Sequence, residues 1–88
     1  MSSIDYTVTD GQLVVMHHGR PEGAWVLPDS DGVGVLTVEL EDLTGFGYVD
    51  IVQLSDGRHA VIDNTSATLY RSAADSFSDH NPWPLEAL

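Results

Sequence analysis

The chain has no cysteine and no lysine, and its only cationic side chains besides histidine are Arg20, Arg58 and Arg71, set against fourteen carboxylates. Each absence closes off a class of function. Without cysteine there can be no disulfide, thiolate metal site or thiol nucleophile. Three arginines within a net charge of −11 cannot neutralise a track of phosphates, so neither direct nucleic-acid binding nor adsorption to anionic membranes is expected. No apolar run approaches the ~20 residues of a membrane-spanning helix. The opening residues carry neither a basic region nor an apolar h-region, so no signal peptide is expected, and the expected location is the cytoplasm. Blocks of like charge are also missing, the longest unbroken acidic run being Glu41-Asp42.

What is present argues for folding. Hydrophobic residues make up 42% of the chain, too many for a disordered acidic tail. Eighty-eight residues are expected to form one domain, residues 1–88, burying roughly 60–65% of the surface of the unfolded chain.

Short-range signals point to hairpins. Thr9-Asp10-Gly11, Ser30-Asp31-Gly32 and Ser55-Asp56-Gly57 each precede a segment rich in Val or Leu. Asp-Gly tolerates the positive φ of tight turns, so these read as successive hairpins of a meander. Ile4, Tyr6 and Val8 alternate with Asp5, Thr7 and Thr9, the pattern of a strand with one buried and one wet face. Further strands are expected at 13–16, 24–27, 33–41, 48–54 and 58–62, with Thr44-Gly45-Phe46-Gly47 turning the fourth into the fifth. Leu36, Val38 and Leu40 lie on one side of the fourth. Between residues 65 and 77 the apolar residues recur every three or four positions, which predicts a short amphipathic helix capped by Asn64 or Thr65. The competing reading is a seventh strand through 67–71. Pro82 and Pro84 end regular structure, and Trp83, Leu85 and Leu88 are expected to fold back over an open end of the sheet. The fold class is therefore mainly β, a small antiparallel barrel or roll of about six strands with one short C-terminal helix.

No constellation of residues carries recognisable chemistry. Neighbouring strand residues point to opposite faces, so His17 and His18 would not ligate one ion together. His59 shares a face with Asp63, but that single pair, with His80 as a third candidate, falls short of the converging ligands a metal needs. Asp29-Ser30-Asp31-Gly32 resembles the start of a calcium loop, yet the fifth and twelfth positions are Val33 and Leu40. The glycines match no phosphate cradle, and no serine lies in a G-x-S-x-G elbow. No catalytic residue, metal or cofactor is expected, and the protein is read as a non-enzyme.

Three accounts fit the acidity. In the first, carboxylates imitate phosphates. Glu39 and Glu41 would stand ~6.7 Å apart on one strand face, close to the ~7 Å of two axial steps of duplex DNA. Asp42, Asp50, Asp56 and Asp63 would extend that face. The chain would then be an inhibitor, of the kind phages use against host defence, that blocks a basic nuclease, repressor or CRISPR effector. In the second, the charge is a halophilic adaptation, consistent with zero lysine and Asp exceeding Glu. In the third, the chain is an acidic interaction module (antitoxin, immunity protein or assembly subunit) anchored by Trp25, Phe46 and Trp83, which lie beside Gly or Pro.

Overall fold

Asp10 and Gly11 both take positive φ, 51° and 75°, the conformation of a two-residue turn whose twist matches that of the strands it joins. They connect β1 (Ile4–Thr9) to β2 (Gln12–His17), as the Asp-Gly signal predicts. The computed structural model describes residues 4–43, 47–63 and 66–88. Within them β1, β2 and β3 (Arg20–Val26) form a three-stranded antiparallel sheet in that order. A second antiparallel sheet runs β4 (Val35–Leu43), β5 (Gly47–Leu54), β6 (His59–Asp63), β7 (Ser66–Tyr70) and β8 (Trp83–Pro84), also in chain order. One helix, α1 (Ala73–Ser78), separates β7 from β8. The chain is thus mainly β with one short helix near its C-terminus.

Several local expectations need correction. The second hairpin turns on His18 and Gly19, at φ 51° and 76°. The third strand therefore starts at Arg20 rather than residue 24, and a bulge between Val15 and Met16 sets Met16 opposite Pro21. Proline is tolerated there because a bulge has already broken the regular ladder. Ser30-Asp31-Gly32 is not a hairpin. It lies in the crossing segment between the sheets, where Val33 N–H bonds back to Ser30 C=O at 3.0 Å. Ser55-Asp56-Gly57 does close a hairpin, with Gly57 at φ 93° and its N–H on Leu54 C=O at 3.0 Å.

The segment 65–77 divides in two. Ser66–Tyr70 is a strand paired with β6, and only Ala73–Ser78 is helical, capped by Ser72, whose side chain accepts from the Asp75 amide. The expected cap at Asn64 or Thr65 lies outside the described residues, as does the Thr44-Gly45-Phe46 turn. Spacing of three and four misleads here because Leu69 and Ala67 alternate with period two before the helix starts. The helix buries no residue, and Phe77 is exposed.

The core lies between the sheets. Tyr6, Leu13, Trp25 and Leu27 from the first side meet Val52, Leu54, Ala60, Ile62, Ala67 and Leu69 from the second, with Leu85 of the C-terminal segment. That segment ties the two sheets together. Leu85 N–H bonds Ala67 C=O, Val26 N–H bonds Glu86 C=O, and Leu88 N–H bonds Ala24 C=O, at 2.8–2.9 Å. Leu85 is buried as expected, whereas Trp83 and Leu88 are exposed. On the opposite side β1 and β4 are not paired with one another among the described residues, so the sheets form an open roll rather than a closed barrel.

Candidate functional site

Register decides which carboxylates share a surface. Residues directly opposite in an antiparallel pair project to the same face. Glu39 faces Ile51 and Glu41 faces Val49. Ile51 in turn faces Val61, and Asp63 follows Val61 by one strand period. Glu39, Glu41 and Asp63 therefore stand on the outer face of the second sheet, all exposed. Asp63 lies two strands across, ~9.6 Å by ordinary strand spacing. Asp42 sits at the end of β4 opposite Tyr48. The strands β4, β5 and β6 contain no lysine or arginine, so nothing on these strands offsets the three charges.

Three expected members of this face belong elsewhere, the first being Asp42, whose register opposite Tyr48 is that of Leu40 and Asp50 rather than of Glu39 and Glu41. Asp50 is opposite Leu40 and Ile62, which puts it on the inner face. There it is half-buried and its Oδ2 accepts the Tyr6 hydroxyl proton at 2.5 Å. This bond joins β1 to β5 across the open side of the roll. Burial first, and then the hydrogen bond and negative charge of Asp50, hold the Tyr6 hydroxyl well above the usual tyrosine range. Asp56 lies at the far end of the sheet, in the β5–β6 turn. Its Oδ1 accepts from the Arg58 amide at 3.1 Å and its Oδ2 from Arg58 Nε at 2.6 Å. The same guanidinium donates to Pro28 C=O at 2.7 Å and to Asp29 C=O at 2.9 Å. Asp56 is thus part of a fastener between the turn and the intersheet crossing, with its charge matched.

The apolar anchors separate as well. Trp25 is 5% exposed and part of the core, so it is not an interface anchor; a residue between Gly and a Pro-terminated strand has packed inward against the opposing sheet. Trp83 is 59% exposed. Phe46 lies outside the described residues. Large apolar residues are instead uncovered on β4, where Leu36 is 64% and Leu40 67% exposed. Alternation places Leu36, Val38 and Leu40 on one side of a strand, but alternation alone does not say whether that side is covered.

The histidines do not converge. His17 Nδ1 lies 2.9 Å from Glu22 Oε1, and the rings of His17 and His18 are 4.2 Å apart. They do not point to opposite faces, because His18 belongs to the turn rather than the strand. His80 Nδ1 stands 3.4 Å from Asp75 Oδ1. His59 is buried, with Nδ1 lacking a hydrogen-bond partner among the described residues. Four residues of strand, ~13 Å, separate it from Asp63. Among the described residues no three His, Asp or Glu side chains gather as metal ligands would.

Neither a protein-family model, nor a curated protein, nor a solved structure matches this chain.

Proposed function

We propose that the protein is a non-enzymatic acidic interaction protein that occupies the cationic, nucleic-acid-handling surface of a protein partner. The observation that supports this reading is the outer face of β4 to β6, where Glu39, Glu41 and Asp63 stand exposed. Their spacing along and across the strands, ~7 and ~10 Å by strand geometry, matches the scale of a phosphate array. The sheet fixes the backbone that carries these charges, so a partner orders only their side chains. Partners whose surfaces fit are nucleases, repressors and CRISPR effectors, and the effect on them is inhibition by exclusion of nucleic acid, as a phage anti-defence protein would achieve.

The test begins with capture from lysate of the native host, or of the host of a virus carrying the chain, on immobilised protein at ~0.1 M salt, where the Debye length is ~10 Å. A basic nucleic-acid-binding protein is expected, displaced by duplex DNA and by raising the salt. E39Q/E41Q/D63N is expected to lose at least tenfold in affinity for it while melting at or above the wild-type temperature, since fewer like charges then repel one another. Undiminished binding by the triple variant would sink the phosphate-mimic reading.

A further inference from the structure

Burial across the second sheet stops short at one strand. The inner-face row of Val38, Val52, Ala60 and Leu69 is 39%, 0%, 0% and 4% exposed in that order. In the neighbouring row Leu40 is exposed while Ile62 and Ala67 are buried. The apolar face of the sheet continues onto β4, and the first sheet does not cover it there. The backbone of β4 is equally one-sided, since among the described residues its ladder runs only to β5. By contrast β3 and β8, at the other ends of the sheets, are joined through the C-terminal segment. Between β1 and β4 lies a groove of about 480 Å³, lined by Tyr6, Leu36, Val38, Leu40 and Asp50 among others.

Edge strands of this kind are commonly blunted by lysine, proline or a bulge. Strand β4 has neither lysine nor proline, and its one bulge lies at the start, between Val35 and Thr37. What it carries is Glu39 and Glu41, exposed on the face opposite Val38 and Leu40. Those charges select the occupant. A second copy pairing through β4 would bring glutamates against glutamates between two chains of net charge −11, and like charges on adjoining strands destabilise a ladder. An extended segment with Lys or Arg on one face and Val, Ile or Leu on the other satisfies every group at once. Its backbone completes the ladder, its apolar residues cover Val38 and Leu40, and its cations face Glu39 and Glu41.

We infer that β4 is a docking edge that takes one strand of a basic partner by sheet augmentation, the strand alternating cationic and branched apolar residues. This rests on the reading of the protein as a binder of cationic partners and names the contact through which binding occurs.

The experiment uses the full chain and a synthetic peptide, acetyl-Lys-Val-Lys-Val-Lys-Val-Lys-amide, beside the same peptide N-methylated at its five central residues. Both carry the same charge, but the methylated one has no central N–H to give to a ladder. Affinity is measured at ~0.1 M salt, with amide hydrogen exchange across β4. The unmodified peptide is expected to bind at least tenfold more tightly than the methylated one and to slow exchange at alternate β4 amides. Equal binding, with β4 exchange unchanged, would overturn strand docking while leaving the acidic-surface reading intact. Binding by neither peptide would overturn it too, and the E39Q/E41Q/D63N capture comparison then decides the wider reading separately. A dimer that protects β4 without peptide would overturn it in favour of self-pairing.

Discussion

Two tyrosines carry the protein's clearest response to pH. Tyr6 donates to Asp50 and Tyr70 to Asp79, both at 2.5 Å. Burial, then the hydrogen bond and charge of Asp79, push the Tyr70 hydroxyl up to about 12, and Tyr6 is raised further. In the unfolded chain both ionise near pH ~10. Above that pH the unfolded state has lost protons that the native state keeps, so stability falls with rising pH, by up to ~1.4 kcal/mol per pH unit for each tyrosine. Below pH ~10 their contribution is fully present. Urea titrations between pH ~9 and ~11.5, which span the unfolded tyrosine range, are expected to show this decline, and Y6F/Y70F to flatten it. At neutral pH Tyr6→Phe is expected to lower stability by about 1–2 kcal/mol, because half-buried Asp50 loses its donor. A slope unchanged in the double variant would mean that neither hydroxyl is held as described.

At the scale of elements, turn chemistry sets the hairpins, and the outermost strand is where recognition is proposed. Gly19 sits at φ +76° in open space, with nothing lying within 4 Å of the position a Cβ would take. Any cost of a side chain there is conformational rather than steric. Gly19→Ala is expected to destabilise the protein by about 1 kcal/mol, and Gly19→Asn by less, since asparagine tolerates the left-handed region. Thermal melts of the two variants read this directly; equal and negligible losses would show that the β2–β3 turn relaxes to another form. Strand β4 behaves differently from every other long strand. Its side chains from Leu36 to Glu41 are all exposed, so substitutions there are expected to change stability little, as surface changes generally do, and under the proposed docking to show in binding instead.

The whole molecule is governed by its charge. Eleven net negative charges on 88 residues repel one another in the folded state, and salt relieves that repulsion. The melting temperature is therefore expected to rise with salt, mostly below ~0.5 M, as the Debye length shrinks from ~10 Å at 0.1 M towards ~3 Å at 1 M. A binder of cationic partners must be folded at the low end of a series from ~0.05 to ~3 M. Unfolding below ~1 M would make the acidity a salt adaptation and remove the main support for a cationic partner.

Much of the fold was determined by local chemistry that the sequence displays by itself. Alternation set β1 and Asp10-Gly11 set its turn, because these effects act between neighbours. The His18-Gly19 turn was missed, because paired histidines at the end of an apolar strand point the eye towards metal chemistry rather than to a positive-φ turn. Tertiary structure alone decided the rest. Residues 66–70 became a strand because β6 offered a ladder that outweighed a helical spacing of apolar residues. Asp50 left the acidic face because pairing with Leu40 turned it towards Tyr6, forty-four residues away. Trp25 went inward and Leu40 stayed out because burial depends on which sheet lies opposite. One side of the roll is closed by the C-terminal segment, the other is, among the described residues, left open beside β4, and no pattern within a single strand records that difference.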